Sequence, residues 1–94
     1  MDNTIFTQIL VDSALDSFKE MNEVLRSNSS HLEKINNFGL ANGEFLKTME
    51  LLELYCMDAY KIINDKLNNH YWKLVAEYAR ILAETKSNIK EVTN

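Results

Sequence analysis

The chain has 94 residues, of which 46% are apolar, 26% charged and 10% aromatic, with two Gly, no Pro and one Cys, the composition of a folded protein rather than of a disordered or collagen-like one. One domain is the most this length supports; its core is too small for a typical enzyme interior, and a lone Cys56 excludes an internal disulfide, which leaves oligomerisation as the expected extra stabilisation. The formal net charge of -4 lacks the basic footprint of a nucleic-acid binder, so neither DNA nor RNA is an expected partner.

The opening MDNTIFTQILVDSALD carries Asp2, Asp12 and Asp16 and no basic leader, which does not read as a secretory signal. No stretch approaches the roughly 18 to 20 apolar residues that span a bilayer. With a free cysteine, these features point to a reducing cytoplasm.

Ile5, Ile9, Leu10, Ala14, Phe18, Met21 and Leu25 recur mostly at three and four residues, the period of an amphipathic helix, and predict one over about 3–26. The phrase SNSS, Ser27 to Ser30, interrupts it, and Ser30 with Glu33 forms a capping box from which the chain can restart at His31. The only glycines, Gly39 and Gly43, lie together in NNFGLANGEF, which predicts a short helix or turn over 27–43. From Phe45 the stripe Met49, Leu52, Cys56, Ala59, Ile63, Leu67, His70, Leu74, Tyr78, Ile81, Thr85, Ile89 and Val92 predicts one long helix over about 44–92. Such a helix is about 70 Å long at 1.5 Å per residue, so most of its stripe must face another helix of this or a second chain. Its weakest part by propensity is NDKLNNH, Asn64 to His70, and a break there turns the hairpin into three helices. The expected fold is therefore all-α, a long amphipathic hairpin or three-helix arrangement in a single unit, 1–94, self-associating as a coiled-coil-like bundle. Lys61 with Asp65, Lys73 with Glu77 and Arg80 with Glu84 are i,i+4 pairs that support solubility.

Candidate chemistry is sparse. Cys56 has Leu52, Glu53, Ala59 and Tyr60 one turn away; none activates a thiol, and Glu53 disfavours a thiolate, so Cys56 reads as a core thiol. His31 sits in a polar stretch and reads as solvated, and His70, on the apolar stripe beside Tyr71 and Trp72, reads as an interface histidine. Glu20 with Glu23 and Glu50 with Glu53 share helix faces, but the residues three before the histidines are Asn28 and Leu67, so the Glu-x-x-His pair of carboxylate metal bundles is missing. There is no phosphate-binding glycine loop. A non-enzymatic protein with no metal and no cofactor is expected. What remains is surface: the aromatic and Met residues are too many for a single seam, and YCMDAYKII, Tyr55 to Ile63, is apolar nearly all round.

The segment from Val24 to Ile63 resembles the phasins, the small helical proteins that coat bacterial polyhydroxyalkanoate granules. The likeness lies in a helix ending Leu25, Ser27, Asn28, in the phrase Phe38, Gly39, Leu40, Asn42, and in Phe45 leading to Leu52, Glu53, Leu54. Tyr78 with Arg80 and Glu84 with Thr85 extend it. The resemblance implies an oligomeric, granule-associated protein whose apolar side covers a hydrophobic polymer or lipid-like surface, gaining about 25 cal/mol per Å² of apolar area removed from water. Phe38, Leu40, Phe45, Met49, Leu52, Tyr55, Cys56, Ala59 and Ile63 are the expected contact residues, hidden in an oligomer until a granule is met. The competing expectation is a small helical chaperone or adaptor, of the kind bacterial secretion systems use, whose groove holds a partner helix.

Overall fold

The computed structural model describes residues 3–93, with side chains from Thr4 to Ser87; Asp2 lies outside the described residues, as do the side chains of Ile89 and Val92. Three helices follow one another, α1 (Asn3–Arg26), α2 (His31–Tyr55) and α3 (Met57–Thr93), and no strand occurs among the described residues. The fold is all-α, with three packed helices rather than a hairpin.

The serine phrase ends α1 where the sequence places its end. The Ser27 hydroxyl donates to the Val24 carbonyl at 2.7 Å, taking up one of the acceptors a helix terminus leaves open. Ser30 then caps α2: its side chain accepts from the Glu33 amide at 3.2 Å, and its carbonyl accepts from the Lys34 amide at 2.9 Å. The Glu33 carboxylate in that first turn suits the positive end of the helix dipole.

The expected turn at the glycines and the expected single helix over about 44–92 are both corrected, and the chain does not break within Asn64–His70. Gly39 and Gly43 lie inside α2, at negative φ, with open space where a Cβ would stand. Packing overrides their poor propensity, because Phe38, Ala41, Phe45, Met49 and Leu52 give that stretch a continuous buried side. Asn64 to His70 stays helical because Ile63 and Leu74 are buried on either side, and the Trp72 indole donates to Asn68 at 3.2 Å. The chain breaks at Cys56 instead. Its amide donates to the Leu52 carbonyl at 2.7 Å, closing α2, and its carbonyl accepts from the Tyr60 amide at 3.0 Å, opening α3. With φ -143° and ψ 61° it is the one non-helical residue between them.

Leu10, Ala14, Phe18, Met21 and Leu25 of α1 meet Phe38, Ala41, Phe45, Met49 and Leu52 of α2, and Ile63, Leu74 and Ile81 of α3 close the core. The α1–α2 pairing is the most extensive and the α1–α3 pairing the least. Ala14, Ser17, Ala41 and Thr48, all buried, keep the first two helices close, and the Ser13 and Thr48 hydroxyls lie 3.5 Å apart across them. The 37 residues of α3 give the molecule its long axis, 60 Å against 20 and 19 Å.

Candidate interaction surfaces

The expected contact residues do not form one outer face. Phe38, Phe45, Met49, Leu52 and Ile63 are buried in the chain's own core, and Cys56 and Ala59 are half-buried beside it. Leu40 and Tyr55 alone among them are open to water, at 64% and 67% exposure. The physical reason is the break at Cys56, which lets α3 fold back along α2 and cover the stripe that a longer helix would have left open. Leu40, two residues from Phe38, is carried about 200° round the helix and faces outward.

Aromatic rings fasten α3 to that stripe. Phe45 stacks on Tyr71 with centroids 5.5 Å apart, and Phe38 stacks on Tyr78 at 4.6 Å. Phe18 of α1 meets both Phe45, at 5.5 Å, and the edge of His70, at 5.2 Å. The Tyr71 hydroxyl donates to the Asn42 side-chain oxygen at 2.9 Å, and burial pushes its phenol above the ordinary value. At the break, the Cys56 thiol lies 2.9 Å from the Thr7 hydroxyl, and Phe6 packs edge-on against Tyr55 at 6.1 Å. His31, Glu20, Glu23, Glu50 and Glu53 are exposed.

Among the described residues, no group of three His, Cys, Asp or Glu side chains is placed to hold a metal ion. Among the described residues, no buried side-chain nitrogen or oxygen lacks a hydrogen-bond partner. No described helix is long and apolar enough to cross a membrane.

Two surfaces escaped the reading from sequence. One is an open apolar groove between α1 and α3, lined by Val11, Leu15, Ala59, Ile62, Ile63 and Leu67. The other is the outer side of α2, where Leu32, Leu40, Leu46 and Leu54 are all exposed. Their signal was present as leucines falling opposite the Phe38 stripe, which the expected turn at the glycines had divided between two elements. Compared with protein-family models, curated proteins and solved structures, the chain finds no match.

Proposed function

We propose that this chain is a non-enzymatic, phasin-like coat protein that stores its apolar contact face inside a closed three-helix bundle and presents it to a hydrophobic particle by opening at Cys56. The observation that supports this reading most directly is that α3, joined to α2 through one non-helical residue, covers Phe38, Phe45, Met49 and Leu52. The soluble form thus hides the face within one molecule, with no need of an oligomer to do so. Transfer of that face from the core to a polyester surface exchanges one apolar contact for another and changes the free energy little. The net gain comes from residues near the hinge that are wet in the closed bundle and dry on the particle, such as Tyr55, Met57 and Ile62. Charged faces then point outward, and at a net charge of -4 coated particles repel one another.

The test is co-sedimentation with polyhydroxybutyrate particles and with neutral liposomes. Leu15 and Lys66 line the same α1–α3 groove and are both exposed, so Leu15→Cys with Lys66→Cys, joined by a short bismaleimide in a Cys56→Ser background, locks α3 down. Saturable binding to the polyester, lost on locking and kept by the unlinked variant, is the expected result. Binding that survives the lock rejects opening, and absence of polyester binding rejects the coat reading itself. The adaptor alternative draws on the apolar α1–α3 groove, because an amphipathic partner helix binds by laying its apolar side into a groove of this chemistry; it predicts a specific polypeptide bound there without polyester affinity.

A further inference from the structure

The outer side of α2 carries a pattern that neither the core nor the coat reading uses. Leu40 and Leu46 stand three residues either side of Gly43, and Leu32 and Leu54 stand eleven either side. At 100° per residue all four point within about 60° of the Gly43 direction. Each is exposed, from 48% at Leu46 to 68% at Leu54, and open space lies over Gly43 itself. The leucines of this face are therefore spaced symmetrically about Gly43. A two-fold axis sets residue i of one copy against residue j of the other and j against i, so an axis at Gly43 sets each of these exposed leucines against a leucine.

We propose that two copies of this chain pair antiparallel through the outer faces of α2, with the two-fold axis at Gly43. In that register Leu32 comes level with Leu54 of the second copy and packs near the centre line. Leu40 and Leu46 of each copy flank the crossing, where the missing side chain at Gly43 lets the backbones approach. Asn36 and Glu50, seven residues either side of Gly43, come level with each other, so the amide can donate to the carboxylate of the second copy. Lys47 comes level with Gly39, which leaves its stem room to reach water.

These three polar positions separate a second copy from a featureless polymer, which would strip water from Asn36, Lys47 and Glu50 and return nothing. Overlap from residue 32 to 54 is about 33 Å long at 1.5 Å per residue. Pairing through one helix per copy makes a small interface, of the kind that associates reversibly and depends on concentration. Neither inner face nor hinge enters the pairing, and it stands or falls apart from particle binding.

The register gives a sharp experiment. In a Cys56→Ser background whose helicity is checked by circular dichroism, Gly43→Cys places two thiols at the axis, where mild oxidation yields a disulfide-linked dimer. Asn36→Cys faces the same partner, but its two copies lie about 21 Å apart along the helices in this register, so it remains unlinked. Sedimentation equilibrium of the unmodified chain, compared with Leu40→Glu combined with Leu46→Glu, is expected to show dimerisation weakened at least roughly tenfold, about 1.4 kcal/mol, by the two charges. A chain monomeric up to high micromolar concentration, equal cross-linking at Asn36→Cys, or a dimer indifferent to the two glutamates overturns the proposal. Parallel pairing gives the second of those outcomes, and a different interface gives the third.

Discussion

The ring of Phe38 lies on that of Tyr78 with centroids 4.6 Å apart and planes 17° from parallel, and seven residues along both helices Phe45 repeats the arrangement with Tyr71 at 5.5 Å and 26°. The two stacks set α2 and α3 antiparallel and in register. They also make α3 the lid of the core, because Phe38 has no exposure left once Tyr78 covers it. Replacing a fully buried Phe by Ala removes the transfer free energy of the ring and leaves a cavity, together about 3–5 kcal/mol. For a small domain whose whole stability is about 5–15 kcal/mol, Phe38→Ala is expected to leave a marginal fold. Tyr78→Ala, at a half-buried position, costs less. Urea unfolding of both single variants and the double variant isolates the ring–ring part, expected at about 0.5–1.5 kcal/mol.

The glycines of α2 give a change in the opposite direction. Neither has positive φ, and nothing lies within 4 Å of an added Cβ, so within the monomer each carries the entropic penalty of a mid-helix glycine with no packing return. Gly39→Ala and Gly43→Ala are each expected to stabilise the monomer by about 0.5–1 kcal/mol. At about 4–8 °C per kcal/mol for a domain of this size, thermal melts at low micromolar concentration resolve both. A fall in Tm for either variant contradicts its placement on an open helix face.

The contrast between the two linkers shows what was legible before the structure. The end of α1 and the start of α2 were readable because serine hydroxyls act locally: Ser27 bonds Val24 and Ser30 caps Glu33, and residues a few positions apart contain the whole interaction. The break at Cys56 was not readable, because Leu54, Tyr55 and Met57 are compatible with a helix and nothing nearby competes for their backbone groups. Contacts distant in sequence define it instead, with Thr7 against Cys56, Phe6 against Tyr55 and Tyr71 against Asn42. The glycines misled for the same reason. Their local preference for a turn was real, but the buried side formed by Phe38, Ala41 and Phe45 outweighed it. The period-3.6 spacing of Phe38, Phe45, Met49 and Leu52 was legible as one side of a helix, while the helix that covers that side depended on the unreadable break.

Tyr71 links the α2–α3 contact to pH. Burial raises its phenol above the ordinary value, so the unfolded chain ionises first as pH rises. Its stabilising contribution is complete below the unfolded value near pH 10 and is lost as pH climbs through the folded one. Alkaline titration followed by circular dichroism is expected to show destabilisation beginning above about pH 10. Tyr71→Phe removes this residue's share of the alkaline loss and, by deleting the bond to Asn42, lowers stability at neutral pH by about 0.5–1.5 kcal/mol. An unchanged alkaline slope in that variant would assign the pH response to other tyrosines.

Opening at Cys56 makes the most demanding prediction, because it concerns the order in which helices separate. The α1–α2 pairing is the most extensive in the molecule and the α1–α3 pairing the least, and α3 alone leaves through a single non-helical residue. Partial opening therefore releases α3 while α1 and α2 stay paired, and it needs less free energy than global unfolding. Native-state hydrogen exchange is expected to divide the amides accordingly, with those of α3 between Ile63 and Ile81 less protected than those of α1 between Ala14 and Leu25. Linking Leu15→Cys to Lys66→Cys removes the partial opening and raises protection in α3 toward that of α1. If α3 is as well protected as α1 before linking, the bundle opens only as a whole, and the hinge at Cys56 has no independent motion with which to expose Phe38 and Phe45.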